Sequence, residues 1–381
     1  MLRFMYSGIS GMKVNQNKLD VVGNNIANVS TTAFKGSSAR FADMLYQNVG
    51  TATAPTSSKG GTNAKQVGLG AQLSSINRVM SQGNALATGR SLDACIDGEG
   101  FYIVGVGPIN YQSGTKITSS QSLGAGDMKI SYTRDGNFTL DKDGNLLTAD
   151  GHRVMGYLLT ATKKGTGEQT SPASGKSSIA IDTSEGQDVE PKLEVGDAVY
   201  VDADAVLKAV GDNSDGKTEG LQLQPLRIPE KVYVPGGENS EKGTWQSVTS
   251  FAIGKDGVIT AVLANGKKTA LGQIATASFT NPEGLTALGG NFYEVSPNSG
   301  SEVIRTSVNI DNDKNGKARE DNLVDNSKSQ GDIIQGCLEA SNVDLTEQFT
   351  DMISATRCFQ ASSKLITTGD EILQTITSLL R

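Results

Sequence analysis

The chain opens and closes on the same pattern of apolar positions. Near its start, Leu2, Met5, Ile9, Met12, Leu19 and Ile26 recur three and four residues apart, once Gln16 and Gly23 are counted as two non-apolar members of the row. That spacing predicts a helix with one narrow apolar stripe, the geometry of a coiled-coil seam. Gly8, Gly11 and Gly23 each weaken the helix by about 1 kcal/mol relative to alanine, so alone it is marginal. Near the end, Leu345, Met352, Phe359, Ile366, Leu373 and Leu380 lie seven residues apart without a break. From Leu365 the row widens through Ile372, Ile376 and Leu379. Small residues flank it at Ala355, Thr356, Ser362, Ser363 and Gly369, where a second helix can come close. Ser341 with Asp344, and Asp344 with Glu347, stand at capping-box spacing just before the row begins.

Two arrangements suit such a pair of rows. They form an antiparallel pair that closes one domain, or each needs partners from other copies of the chain. In the second case the ends of an isolated chain are expected to lack order, because ordering costs about 1–2 kcal/mol per residue.

Between the ends the period changes to two. "SLDACIDGEGFYIVG" sets Leu92, Ala94 and Ile96 on one face, turns at Asp97-Gly98 and continues through Phe101 to Val104. "ISYTRDGNFTLDKDGNLLTADGHRVMGYLL" reads as short strands divided at Asp135-Gly136, Asp143-Gly144 and Asp150-Gly151. The same grammar returns at Asp256-Gly257 and Asn265-Gly266. Asp-Gly and Asn-Gly between apolar runs predict tight hairpins in which both central residues take positive φ.

The expected fold is therefore mainly β with α-helical termini. The two end helices form a coiled-coil-like domain, residues 1–28 and 341–381. Two nested antiparallel β domains follow, one from residues 72–160 and 270–340, the other inserted at 161–269 after the linker-like "TKKGTGEQTSPASGKSS". Residues 29–71 connect helix to sheet, and "GTATAPTSSKGGTNAKQ" within them reads as a long polar loop.

Composition narrows the function classes. Of 381 residues 45 are glycine, which fits a turn-rich chain, and a net charge of −7 gives no electrostatic reason to bind nucleic acid. No stretch is apolar for long enough to span a bilayer. Ser7, Gly8, Ser10 and Lys13 interrupt any signal-peptide core, so no cleaved signal is expected. The three cysteines, Cys95, Cys337 and Cys358, lack metal-site spacing and read as small, partly buried thiols.

Candidate chemistry is thin. A Ser-His-Asp arrangement would have to use His152, which follows a turn and reads as an exposed polar residue. No phosphate-binding loop or dinucleotide fingerprint is present. Asp311, Asp313, Asn315 and Gly316 occupy calcium-loop positions, but Asn322 stands where a bidentate glutamate is needed, so a solvated loop is expected. No enzyme activity, cofactor or metal is expected.

Two motifs carry a resemblance. "GNNIANVSTTAFK" (Gly23 through Asn24, Asn25, Ile26, Ala27 and Asn28, then Thr31 to Phe34 and Lys35) is similar to the N-terminal signature of the flagellar rod and hook axial proteins, with Ala33 where glycine is common. Ser341, Asn342, Val343, Asp344 and Leu345, with Arg357, Phe359 and Gln360, resemble the C-terminal signature of the same family. "FADML" from Phe41 to Leu45 and the stretch from Leu271 to Gly300 look most like hook members, and the central insertion favours hook over rod. The insertion itself matches nothing nameable.

The resemblance implies a structural subunit that stacks helically with copies of itself into a short curved tube. The terminal helices would form the inner wall, and residues 29–71 a radial connector. Such a tube acts as a universal joint, passing torque from rod to filament. It also implies, as partners, the distal-rod protein, the hook cap, the hook–filament junction protein and the flagellar type III export apparatus. The subunit would leave the cell through that apparatus without a cleaved signal. The runner-up within the family is a stiff rod subunit. A secreted enzyme or adhesin carrying the same termini is the rival from another class.

Overall fold

The computed structural model describes residues 3–57, 59–108, 115–116, 123, 128–158, 198, 200, 222–234, 243–304 and 331–379. The fold is mainly β with one long helix at each end. Its contacts divide it into two units, residues 1–81 with 341–381, and residues 82–340.

The first unit holds both helices, α1 (Arg3–Ala27) and α2 (Leu345–Leu379). Asn28 ends α1. Its backbone N–H donates to the Asn24 carbonyl at 3.2 Å, and its side-chain amide donates to the same oxygen at 2.9 Å. The chain then passes through Ala33, which takes the left-handed conformation at φ 56°, a backbone region that favours glycine. Asp344 starts α2: its carboxylate accepts from the backbone N–H of Thr346 at 2.7 Å and of Glu347 at 3.4 Å. Of the two capping spacings in the sequence, the one at Asp344 caps the helix, whereas the Ser341 hydroxyl accepts from Val343 N–H at 3.3 Å.

Between Gly36 and Val79 the chain makes one long antiparallel ribbon. β1 (Ser37–Asp43) pairs with β4 (Ala71–Arg78), from Ser37 opposite Arg78 to Asp43 opposite Ala71. β2 (Tyr46–Gly50) pairs with β3 (Lys65–Gly68) beyond them. Bridges at Thr53 with Thr62 and Thr56 with Lys59 carry the pairing toward the tip. The expected polar loop is therefore the end of this ribbon. Its residues are exposed on both faces, so no apolar alternation marked the strands.

The second unit is a β structure that begins with β5 (Ala85–Ala87), β6 (Ala94–Asp97) and β7 (Phe101–Val106). It continues through β8 (Thr115–Lys116), β9 (Lys129–Thr133), β10 (Phe138–Leu140), β11 (Leu146–Thr148) and β12 (Arg153–Leu158). Then come β13 (Gln222–Pro225), β14 (Lys231–Val234), β15 (Thr244–Ile253), β16 (Val258–Leu263) and β17 (Lys268–Ile274). It ends with β18 (Thr276–Phe279), β19 (Thr286–Gly289), β20 (Phe292–Glu294), β21 (Glu302–Ile304), β22 (Asp332–Gln335) and β23 (Cys337–Glu339).

The main path of the sheet runs β14-β15-β16-β17-β12-β7-β9-β20-β19. β17 runs through the expected boundary between residues 269 and 270: its residues beyond that boundary pair with β12 of the same expected domain and also with β16 of the expected insertion. The strand's apolar pattern continues across that position, so pairing does too. Most of the expected insertion, including residues 161–197 and 201–221, lies outside the described residues. β7 sits centrally and is buried from Phe101 to Gly105, as a strand covered on both faces should be. Tyr102 meets the Phe138 ring edge-on at 5.1 Å, and Val104, Leu146, Val154 and Leu226 complete the packing around it.

The glycine turns form hairpins, with a correction to their type. Gly144, Gly151, Gly257 and Gly266 have φ between 79° and 83°, but the residues before them do not have positive φ. Each glycine N–H instead bonds the carbonyl three residues back, on Asp141, Thr148, Gly254 and Leu263. These are type I turns followed by a left-handed glycine, the three-residue hairpin solution. Asp97-Gly98 and Asp135-Gly136 make no hairpin: β6 pairs with β22, and β9 pairs with β7 and β20. A Cβ on Gly136 would run into the Ala94 backbone, so glycine is needed there for close approach.

Candidate assembly surface

The two helices lie antiparallel. Going backward along α1 and forward along α2, Asn25 meets Gln348, Lys18 meets Asp351, Gly11 meets Ser362, Gly8 meets Ile366, and Phe4 with Met5 meets Gly369. The closest row on α2 is small. Ala355, Ser362 and Gly369 repeat every seven residues, and Ala355 and Gly369 are its buried members. A Cβ on Gly369 would sit 2.8 Å from the Phe4 ring, and one on Gly11 would sit 3.1 Å from the Ser362 hydroxyl. Small residues let the two backbones approach, and two polar links, Lys18 to Asp351 at 2.9 Å and Asn25 to Gln348 at 3.0 Å, fix the register.

The apolar rows read from the sequence enter this contact at Met5 and Ile366 and are only partly covered by it. On α1, Met5, Met12, Leu19 and Ile26 are half-buried and Ile9 is exposed. On α2, Met352, Ile366 and Leu373 are half-buried, and Leu345 and Phe359 are exposed. Leu2 and Leu380 lie outside the described residues. Further apolar side chains stand open on α2: Phe349, Ile353 at 61% exposure, Leu365, Ile372 and Leu379 at 81%. Within one chain the two described helices thus form an antiparallel pair, the first of the two arrangements, and they still present exposed apolar side chains.

The signature residues tie this pair to the base of the ribbon. Asn25 is 1% exposed. Its side-chain oxygen accepts from Ser37 N–H at 2.9 Å and its amide donates to Ser37 O at 2.8 Å, so it pairs with the backbone as a neighbouring strand would. Asn342 does the same for the facing segment: its oxygen accepts from Gly36 N–H at 2.8 Å and its amide donates to Val79 O at 2.8 Å. Gly36 lies between the two, where a Cβ would press on Val343 at 3.2 Å. Lys35, 1% exposed, donates from Nζ to Ser81 O at 2.8 Å. Phe34, half-buried, accepts at its carbonyl from Asn342 N–H at 3.4 Å. Asn24 and Asn28 serve the helix end, and Ala27 is exposed on its last turn. Arg357 and Gln360 are exposed on α2 and bond each other at 3.2 Å, beside the exposed Phe359.

Asn25→Ala is expected to lower the unfolding free energy of this unit by about 2–3 kcal/mol, because buried backbone groups of Ser37 lose their partner. Urea denaturation followed by helix circular dichroism checks it, with exposed Asn24→Ala as the control that changes little.

Residues 5–35 match the family model for flagella basal body rod protein, residues 122–261 that for the flagellar hook protein FlgE/F/G D1 domain, and residues 334–379 that for the flagellar basal body rod FlgEFG protein C-terminal. The chain is 34% identical to the flagellar basal-body rod protein FlgG of Bacillus subtilis over 381 residues, 100% of each chain. This chain belongs to the flagellar rod and hook axial proteins. It is also 30% identical to the flagellar hook protein FlgE of Borreliella burgdorferi, and 27% identical to that of Treponema pallidum, again over 100% of each chain. Rod and hook members alike align along its full length, so the central insertion does not separate the two names. The D1-domain model also spans residues 122–261, which gives part of the stretch left unmatched by sequence reading a counterpart.

His152 packs its ring flat on Phe292, centroids 4.2 Å apart and 7° between planes, so it is a packing residue more than an exposed turn residue. Among the described residues no cluster of His, Cys, Asp or Glu is placed to hold a metal, and no helix is long and apolar enough to cross a membrane. The loop Asp311 to Asn322 lies outside the described residues.

Proposed function

We propose that this chain is a structural subunit of the flagellar hook that self-assembles into a curved tube and transmits torque from rod to filament. The observation behind it is the helix pair. One chain closes the pair on its small residues and leaves apolar side chains open on α2, Leu345 and Phe359 in the seven-residue row and Leu365, Ile372 and Leu379 in a second row, for other copies to cover. Terminal residues 1–28 and 341–381 serve as the assembly domain, residues 29–71 as connector, and residues 72–160, 270–340 and 161–269 as the β parts that make lateral contacts. Those lateral contacts must slide as the tube bends, which polar, glycine-rich surfaces allow. Its partners are its own copies, the distal-rod protein, the hook cap, the junction protein and the type III export apparatus, through which it leaves without a cleaved signal. It has no catalytic role and needs no cofactor.

The second reading is a rod subunit, and the 34% identity to a protein named for the rod favours it. Electron microscopy of the purified chain under polymerising conditions separates them. Curved tubes support the hook, straight shafts support the rod, and absence of any polymer overturns both.

A further inference from the structure

Two of the three cysteines meet inside the second unit. Cys95 lies on β6 directly opposite Ile334 of β22. Gly336, at φ 80°, separates β22 from β23, which carries Cys337. The Cys337 thiol reaches the Ile334 carbonyl at 3.4 Å, and the two sulfurs stand 3.0 Å apart. A disulfide bond measures about 2.04 Å, so the gap to close is about one ångström. Both thiols are buried, at 1% and 7% exposure. Cys358 is exposed and belongs to the other unit.

We propose that Cys95 and Cys337 form an intrachain disulfide when the chain meets a low-molecular-weight disulfide as oxidant. A cysteine thiolate attacks the small disulfide, forming a mixed disulfide and releasing one small thiol. The second cysteine then attacks the mixed disulfide at the protein sulfur, forming the Cys95–Cys337 bond and releasing the second small thiol. The two cysteine sulfurs lose two electrons, the small disulfide gains them, and the two cysteine protons end on the released thiols.

Burial, and then the hydrogen bond with Cys337, push the Cys95 thiol up to about 12. In the folded chain Cys95 therefore holds little thiolate at neutral pH, and its attack on the oxidant starts while β6 and β22 are apart. Once closed, the bond is shielded from reductant by the same burial. Its location makes it effective: residues 95 and 337 lie near the two ends of a unit that runs from 82 to 340, so one bond closes nearly the whole unit into a loop. Long loops restrict the unfolded chain most.

The test uses the full chain carrying Cys358→Ser, unfolded in urea with reductant and refolded with oxidised glutathione. The expected product has no free thiol, a mass lower by two hydrogens and faster migration on a non-reducing gel. Its digest holds a peptide joining Cys95 to Cys337. Its urea midpoint rises by roughly 1–2 M over the reduced chain. Adding Cys95→Ser should remove all of these. Two free thiols in a refolded chain with native circular dichroism, or only mixed and intermolecular disulfides, would overturn the proposal. The unsubstituted chain supplies a second readout, in which Cys358 alone should remain free.

Discussion

Glu339→Ala is expected to lower the stability of the second unit by about 3–5 kcal/mol, the cost of leaving a buried charge unpaired. Glu339 and Arg134 are almost fully buried, with Arg134 Nη1 at 3.2 Å from Glu339 Oε2. Three further bonds depend on the pair. Arg134 donates from Nε to Gly100 O at 2.8 Å and from Nη2 to Gly98 O at 2.6 Å, while Gly83 N–H donates to Glu339 Oε1 at 2.8 Å. Removing the carboxylate strands the guanidinium and the Gly83 N–H together. Glu339→Gln keeps an acceptor for both and loses only charge, so it should cost visibly less. Swapping both partners for apolar residues should not restore full stability, because the carbonyls of Gly98 and Gly100 would then lack their donor. Urea titration of the three variants, followed by tyrosine fluorescence, orders them. Equal stability of Glu339→Ala and the parent would mean the site is hydrated and the charge is not desolvated.

That ion pair shows where sequence reading stops. Arg134 and Glu339 are separated by 205 positions, and nothing local marks either as buried. Cys95 and Cys337, 242 positions apart, are equally silent. The helices were legible, because an unbroken seven-residue repeat has only one simple structural meaning. Which row of each helix would close the pair was not. Apolar content points to Met352, Phe359 and Ile366, but the approach of two backbones is decided by what is missing, namely the side chains at Gly8, Gly11 and Gly369. The hairpins were legible from Asp-Gly and Asn-Gly, whereas the turn type depended on the two residues before each pair. The ribbon from Gly36 to Val79 was not, since β2 and β3 are exposed at every position but Gly50 and show no period. Leu45 at 82% exposure and Tyr46 beside it look like loop residues until the pairing is seen. Asn25 and Asn342 were legible as signature residues, but their role was not. Each stands in for a strand by bonding backbone groups, a task that only a fixed side-chain amide with both donor and acceptor can do.

The helix contact therefore assigns separate tasks to adjacent rows. The small row serves the chain itself: it allows Phe4 to reach Gly369 and Lys18 to reach Asp351. The apolar row is only partly covered within one chain: Met352, Ile366 and Leu373 are half-buried, whereas Leu345 and Phe359 are exposed, and exposed apolar patches mark interaction sites.

Leu373→Asp tests that division and is expected to abolish polymerisation while leaving the second unit folded. Leu373 belongs to the unbroken repeat and is half-buried in the single chain, so the chain tolerates water at that position. If copies cover it, each subunit added to a polymer must bury an unpaired carboxylate, which costs at least several kcal/mol. A cost near 4 kcal/mol raises the critical concentration by roughly three orders of magnitude, enough to remove tubes at any practical concentration. Glu371→Gln, two positions away and exposed, should shift it far less. Sedimentation across a concentration series gives the critical concentration, and near-ultraviolet circular dichroism reports the β unit through Trp245 and its edge contact with Tyr233 at 5.5 Å. An unchanged dichroism with lost polymer is the expected pair of results. Normal polymer from the Leu373→Asp chain would place this row against solvent in the assembly, and the small row with its polar links would then have to carry the contact between copies as well as within one.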